Sequence, residues 1–186
     1  MKREVSVKGS VLMTGSAALS FAERICLNEG GDMRERFPSF FRARRDEPSV
    51  NGEAPFLAEL GENCRRLSEA AAIADLEGAL FVKEIGERGL LSCLWDMGEE
   101  LGCGMEIEMK KIPIRQEAVE ICELMRADPY MEESRGALLL AVPDSAKTLW
   151  ALSRAGIRAE MIGVITDSPA RTIIYPGHTR YLDKPR

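Results

Sequence analysis

Histidine is almost absent from the sequence, and its cysteines do not form a pattern that suits a metal site. The one histidine is His178, and the five cysteines are widely spaced with no C-x-x-C pair. A lone histidine without clustered cysteine or aspartate partners is weak evidence for a metal or a catalytic site. An odd number of cysteines favours small core residues in a reducing cytosol over a disulfide or metal framework. We therefore expect no metal site, buried free cysteines and a surface position for His178.

Long apolar runs are also absent. No stretch of the sequence approaches the roughly 20 apolar residues that a membrane-spanning helix needs. The basic start of the chain is interrupted by Lys8, Gly9 and Ser10, so we interpret it as a strand and a helix and not as a signal peptide. We expect a cytoplasmic protein that does not bind membranes.

An excess of positive charge is missing as well. The net charge is -5, so the field of the whole protein repels nucleic acid and anionic membranes. Residues 32–48 do mix arginines with Phe37, Phe40 and Phe41, a combination that can bind single-stranded nucleic acid. The net negative charge of the whole protein and the shortness of this segment favour a different structure, a partly solvated helix that covers a hydrophobic surface. We expect no nucleic-acid partner.

The remaining composition is that of an ordinary globular protein, with 45% apolar and 30% charged residues over 186 positions. This length suits one good-sized domain with room for an appended subdomain. The residue patterns predict strands at 10–15, 79–83, 105–109, 137–142, 157–165 and 171–175. They predict helices at 16–28, 54–76, 86–101, 115–127 and between 144 and 156, with a linker at 46–53. Such an order predicts a mixed α/β sheet with helices packed on it.

Residues 82–114 contain the candidate site, a glycine-bearing turn between a strand and a helix. The turn holds Lys83, Glu84, Gly86, Glu87, Arg88 and Gly89. Backbone N–H groups and the helix dipole converge at a helix N-terminus, which makes it a place to hold an anion. On this interpretation Arg88 and Lys83 add charge, and Glu84 orients the ligand or accepts a proton. Arg135, which precedes the predicted strand at 137–142, is predicted to face the same cleft.

The alternative interpretation of the turn is structural. Glu84 and Glu87 would then favour the helix dipole and pair with Arg88 or Lys83. The carboxylates of the following helix, Asp96, Glu99 and Glu100, are interpreted as a solvated face and not as an acid/base pair or a metal site.

Four stretches from residue 79 onward carry a resemblance to a known family. The turn reads EIGERGL at 84–90, and it is followed in order by LLSCLWDMGEELGCGMEIEMKKIPIRQEAVEICELMRADPY, GALLLAV and AGIRAEMIGVITD. In order and spacing they resemble the C-terminal domain of the aminoimidazole ribonucleotide (AIR) synthetase, or PurM-like, superfamily. The nearest branches are the AIR synthase-related and HypE-type hydrogenase maturation proteins.

The resemblance implies an α/β (α+β) fold, a layered mixed sheet with packed helices and a partial ferredoxin-like topology. It places this domain at 51–186. Residues 1–50 are then a helical extension, a remnant of the segment that joins the two domains of the family. The family's N-terminal domain supplies most of the ATP and metal site and the usual dimer barrel, and residues 1–50 are too few to replace it. We therefore expect no intrinsic cofactor, with ATP and magnesium shared with a partner domain.

The turn departs from the family pattern at three positions. The family reads acid, aliphatic, Thr/Ser, any residue, Gly, Gly, Leu; here Glu84 replaces the usual aspartate, Gly86 the hydroxyl residue and Arg88 the first glycine of the pair. A glycine pair lets backbone approach a phosphate, whereas an arginine must reach the phosphate itself or occupy its place. These losses favour the structural interpretation of the turn.

Two functions remain open, and the sequence does not decide whether the protein is an enzyme. The first is a stand-alone ligand-binding or assembly module, either a homo-oligomer or the companion of a separate PurM-like N-terminal-type partner. The alternative is an enzyme or enzyme half that binds a nucleotide or another small phosphorylated ligand through Arg88 and Lys83. A third, smaller idea is that the N-terminal helices dock a partner protein.

Overall fold

A computed structural model describes residues 8–28, 33, 35–38 and 55–185. Its strands are β1 (Gly9–Thr14), β2 (Phe81–Gly86), β3 (Gly104–Glu108), β4 (Ser134–Val142), β5 (Ala159–Thr166), β6 (Arg171–Tyr175) and β7 (His178–Tyr181). Its helices are α1 (Leu19–Asn28), α2 (Pro55–Leu76), α3 (Gly89–Leu101), α4 (Gln116–Met125) and α5 (Ser145–Arg154). A short 3-10 helix, Met109–Lys111, follows β3. Among these described helices, none is long and apolar enough to cross a membrane.

The strands form one mixed sheet of seven strands in the order β2-β4-β1-β5-β3-β6-β7. Neighbouring strands are antiparallel except for β3 and β6, which run parallel. The predicted apolar run at 137–142 lies in β4, and all six of its residues are buried. A strand covered on both faces reads as a continuous apolar run, and this explains the pattern. The predicted fold class, a layered mixed sheet with packed helices, is confirmed.

Successive residues of the inner strands belong to different hydrophobic clusters, one on each face of the sheet. In β4, Leu139 and Ala141 pack with Leu90 and Leu94 of α3. Leu138 and Leu140 pack on the opposite face with helices α2 and α5. This alternation follows from the two-residue period of a strand. The helices α2 and α3 therefore cover opposite faces of the sheet.

The sheet includes residues from both sides of position 50. Strand β1 lies between β4 and β5, pairing Ser10 with Val142 on one side and with Val164 on the other. Helix α1 packs with α4 and the start of α2 around Phe56. The first 28 residues thus contribute an inner strand and a helix to the layered unit. The domain boundary at residue 50 stays a prediction.

Several sequence predictions change in detail. Strand β2 extends to Gly86, which pairs with Ser134, so α3 begins at Gly89 and not near residue 86. The edge strand β7 was not predicted, because all four of its residues are exposed and no apolar pattern marks it. Cys64 is exposed, whereas the other four cysteines are buried as expected. Within the predicted helix at 32–48, the Phe37 N–H donates to the carbonyl of Met33, and residues 39–48 lie outside the described part, as does the predicted linker.

Candidate functional site

The turn between β2 and α3 depends on two glycines with positive φ. Gly86 has φ 65° and Gly89 has φ 72°, a region that residues with a Cβ rarely adopt. An added Cβ at Gly86 would meet no atom nearer than the carbonyl oxygen of Glu84, 4.0 Å away. An added Cβ at Gly89 would overlap the backbone of Met131. Gly89 is therefore required for close packing of the 127–133 loop, while Gly86 borders open space.

The N-terminus of α3 is partly occupied by the protein itself. Arg88 is the N-cap residue, and its side chain makes no capping hydrogen bond, because a guanidinium group has no acceptor for the helix N–H groups. The Leu91 N–H, in the first turn of α3, donates to the carbonyl oxygen of Tyr130 at 3.0 Å. The first N–H groups of a helix are the donors that an anion would use. One of these donors is already satisfied by the loop that packs on Gly89.

The two cations of the turn share a single carboxylate. Lys83 Nζ lies 2.9 Å from Asp96 Oδ2, and Arg88 Nη1 lies 3.4 Å from the same oxygen. The side chains of Lys83 and Arg88 are 45% and 64% exposed, and that of Asp96 is 28% exposed. The hydrogen bond to Asp96 raises the pKa of Lys83 above its usual value. Asp96, interpreted from sequence as part of a solvated face, is the residue that organises this side of the turn.

Glu84 and Arg135 lie apart from this ion pair. Glu84 Oε1 accepts a hydrogen bond from the Gly136 N–H at 3.0 Å, and Arg135 Nε donates to Glu133. Burial raises the pKa of the Cys64 thiol on α2; the carboxylate of Glu84 raises it further, and Arg135 opposes the rise. Glu84 and Arg135 are thus neighbours of α2, while Lys83 and Arg88 face α3.

The seven predicted site residues therefore do not form one cluster. Adjacent side chains of a strand point to opposite faces, and this separates Lys83 from Glu84. Glu87 is exposed, and its charge adds to the rise in the pKa of Arg135, which the hydrogen bond to Glu133 dominates. Whether any of these residues binds a ligand stays a prediction.

A partly buried charge network, missed by the sequence analysis, lies beside another cleft. Glu59 Oε1 accepts a hydrogen bond from Ser16 Oγ at 3.0 Å, and Glu59 Oε2 accepts one from Arg115 Nη1 at 2.6 Å. Arg115 also makes two hydrogen bonds to Glu117, each 3.1 Å long. Burial alone would lower the pKa of Arg115, but the hydrogen bonds to Glu117 and Glu59 raise it. No local spacing joins these residues, because Glu59 is 43 positions from Ser16 and 56 from Arg115.

This cleft has a volume of about 290 Å³ and lies between the end of β1, helix α2 and the start of β5. Ser16 and Glu59 line it, together with Glu62, Arg66 and Arg158. The network joins the β1–α1 connection, α2 and the start of α4 through ionic hydrogen bonds. Among the described residues, no group of three or more histidines, cysteines or carboxylates is placed to hold a metal ion.

Comparison with known proteins identifies a matching family and two related sequences. Residues 42–176 match the family described as AIR synthase related protein, C-terminal domain. Carbamoyl dehydratase HypE of Rhodobacter capsulatus is 29% identical over 117 residues, which are 62% of this chain and 34% of that protein. The phosphoribosylformylglycinamidine synthase subunit PurL of Caldanaerobacter subterraneus subsp. tengcongensis is 30% identical over 133 residues, 70% of this chain and 17% of that protein.

A solved structure shows the same fold. A chain of the HypE–HypF complex superposes with a TM-score of 0.59 at 24% identity, covering 95% of this chain and 53% of that one. The matched regions thus span about half of the structural relative, about a third of the HypE sequence and about a sixth of the PurL sequence.

Proposed function

This chain belongs to the family of AIR synthase-related C-terminal domains, and we propose that it is a ligand-binding or assembly module whose site is completed by a second protein surface. That surface belongs either to another copy of the chain or to a separate PurM-like N-terminal-type partner. The ligand class is a small phosphorylated molecule. The resemblance to HypE makes hydrogenase maturation the process in which we propose to look for the partner.

The observation that carries this proposal is the state of the turn. Its two cations are both held by Asp96, and the Leu91 N–H is held by Tyr130. A turn that keeps its shape while both of its cations and one of its backbone donors are engaged supports a retained structural element more than a complete phosphate site. The solved chain of similar fold comes from a HypE–HypF complex, and this supports a module that works beside another protein.

A second candidate function is half of a phosphate-ester or nucleotide enzyme, with ATP and magnesium shared with a partner chain. Lys83 and Arg88 converge on one oxygen of Asp96, beside the open space at Gly86. A phosphate group has more oxygens and more charge than the Asp96 carboxylate, so it would compete with that carboxylate for Lys83 and Arg88. This candidate uses the turn as a site, and the first uses it as a scaffold.

Ligand binding by the isolated chain separates the two candidates, because the first candidate needs a second protein surface to complete its site. The second candidate predicts that ATP, AMP or ribose 5-phosphate raises the melting temperature of the purified chain, because a ligand that binds only the folded state stabilises it. Arg88→Ala would remove that rise, and Arg154→Ala, on α5 and outside the turn, would not. No shift in the wild-type protein at ligand concentrations well above a millimolar would contradict the second candidate.

Catalysis and assembly test the first candidate. The purified chain alone is expected to release phosphate from magnesium-ATP no faster than buffer does. Sedimentation velocity should show either self-association of the chain or a complex with an added PurM-like N-terminal domain. Turnover by the chain alone, at a rate that Arg88→Ala abolishes, would contradict the module.

A further inference from the structure

A pocket of about 330 Å³ lies between helix α1, helix α2 and the start of β4. Its polar lining includes Ser20 and Arg24 from α1 and Arg135 from β4, and its apolar lining includes Leu60 of α2. Neither Lys83 nor Arg88 lines it. The pocket is therefore separate from the ion pair at the β2–α3 turn, and its volume suits a small molecule.

Two arginines that line this pocket are hydrogen-bonded to one buried carboxylate. Arg24 Nε lies 3.3 Å from Glu133 Oε2, and Arg135 Nε donates to Glu133 Oε1. The Glu133 side chain is only 9% exposed, whereas those of Arg24 and Arg135 are 49% and 59% exposed. Since each carboxylate oxygen holds one Nε, Glu133 fixes the two guanidinium groups next to each other. The backbone also fixes Arg135, because its N–H donates to Ser20 Oγ at 2.9 Å.

The terminal amino groups of Arg24 and Arg135 are available to a ligand. Both arginines use only Nε toward Glu133, and their terminal amino groups make no hydrogen bond within the described residues. A guanidinium group offers five N–H donors in a planar fork that matches the oxygens of phosphate and carboxylate groups. Glu23 and Glu133 balance the two arginine charges in the lining. Recognition must therefore come from these directed donors and not from net charge.

We infer that this pocket binds a small oxyanion, a phosphate or carboxylate group held between Arg24 and Arg135. Glu133 is a positioning residue that orders the two forks before the ligand arrives. The inference does not rest on the proposed function, because its residues lie in α1 and at the start of β4, whereas Lys83 and Arg88 lie at the β2–α3 turn.

Substitutions in the triad of Arg24, Glu133 and Arg135 distinguish an anion-binding pocket from an ion triad with a structural role only. Arg24→Gln and Arg135→Gln each remove one fork and should weaken oxyanion binding about tenfold or more, the effect of one charge-assisted hydrogen bond. Arg135→Lys keeps the charge, loses the fork and should bind with intermediate affinity. Glu133→Gln keeps the shape but offers one acceptor oxygen where two are used, so one guanidinium group loses its orientation and the anion should bind more weakly. In a merely structural triad this variant would change stability but no anion affinity.

The measurement is an NMR titration of the full chain with inorganic phosphate and, in a second arm, with succinate. The expected result is saturable shifts of the Ser20 and Arg135 amide signals, with an affinity about tenfold or more lower in Arg24→Gln and unchanged in Arg154→Gln. The arm with the stronger binding identifies the anion as phosphate or carboxylate. No saturable shift in either arm, or shifts confined to the amides of residues 86–91, would overturn the inference. The second outcome would place the anion at the turn, so failure of this pocket remains distinct from failure of the proposed function.

Discussion

Gly86 and Gly89 share a positive φ, but only Gly89 is pressed against neighbouring backbone. The backbone of Met131 occupies the place where a Cβ of residue 89 would lie, and residue 86 borders open space. At the residue scale the turn is thus shaped by packing at one glycine and by conformation at the other. Its polar side chains add a third feature, because Asp96 forms ion pairs with both Lys83 and Arg88.

Alanine at the two glycines should have unequal effects on stability. Gly86→Ala costs the left-handed conformation, about 1 kcal/mol, because no atom is in the way. Gly89→Ala adds a clash with backbone that cannot move aside, so we expect a loss of ~3 kcal/mol or more. Urea unfolding of the two variants measures the difference in the free energy of unfolding. Equal losses would show that Met131 does not press on residue 89.

The Asp96 ion pair should make a small contribution with a defined pH dependence. Its hydrogen bond raises the pKa of folded Lys83 above the usual 10.5. A raised pKa stabilises the folded state fully below pH 10.5 and loses that effect as the pH rises through the folded pKa. Because these side chains are exposed, Asp96→Asn should cost less than ~1 kcal/mol at neutral pH.

An NMR titration of the Lys83 side chain checks this directly. The pKa of Lys83 should be lower in Asp96→Asn than in the wild type. The stability difference between the two proteins should shrink above pH 10.5. An unchanged Lys83 pKa would contradict the shared ion pair.

At the scale of elements, charged side chains join three segments that also share a hydrophobic cluster. Glu59 of α2 receives hydrogen bonds from Ser16, after β1, and from Arg115, the residue before α4. The Arg115 and Glu59 side chains are only 14% and 16% exposed. Charged partners with so little exposure stabilise each other, and loss of Glu59 would leave Arg115 with Glu117 as a carboxylate partner.

Removal of Glu59 should therefore destabilise the fold far more than removal of an exposed neighbour. Glu59→Gln leaves Arg115 with one carboxylate partner fewer and should lower the free energy of unfolding by about 3 kcal/mol. Glu62→Gln is the matched control on the same helix; its side chain is 53% exposed and pairs with Arg65 and Arg66. The control should lose less than ~1 kcal/mol. Similar losses in chemical denaturation would contradict a structural role for the network.

At the scale of the whole molecule, the apolar patterns predicted the layered sheet and most of its helices. The continuous run in β4 and the turn at 84–90 were informative because their causes are local: burial on both faces and a chain reversal. The grouping of site residues depends on long-range packing. The alternation of β2 divides Lys83 from Glu84, and the Asp96 and Glu59 contacts join residues without a local spacing. The exposed strand β7 carries no hydrophobic signal at all.

The position of β1 leads to a prediction about chain length. This strand lies between β4 and β5, so a chain of residues 51–186 would leave both of those strands without their neighbour. Unpaired inner strands expose backbone donors and acceptors together with apolar side chains. We expect residues 9–186 to unfold cooperatively and residues 51–186 not to do so. A sharp thermal transition in the shorter chain would instead confirm the domain boundary predicted at residue 50.

Phosphate release from magnesium-ATP by the purified chain alone tests the central claim most directly, since a module that completes its site with a second surface has no turnover of its own. We expect the rate to equal that of buffer for the wild type. We expect the same for Asp96→Asn, in which Lys83 and Arg88 are freed from their shared carboxylate. A rate above that of buffer, removed by Arg88→Ala and unchanged by Arg154→Ala, would contradict the account.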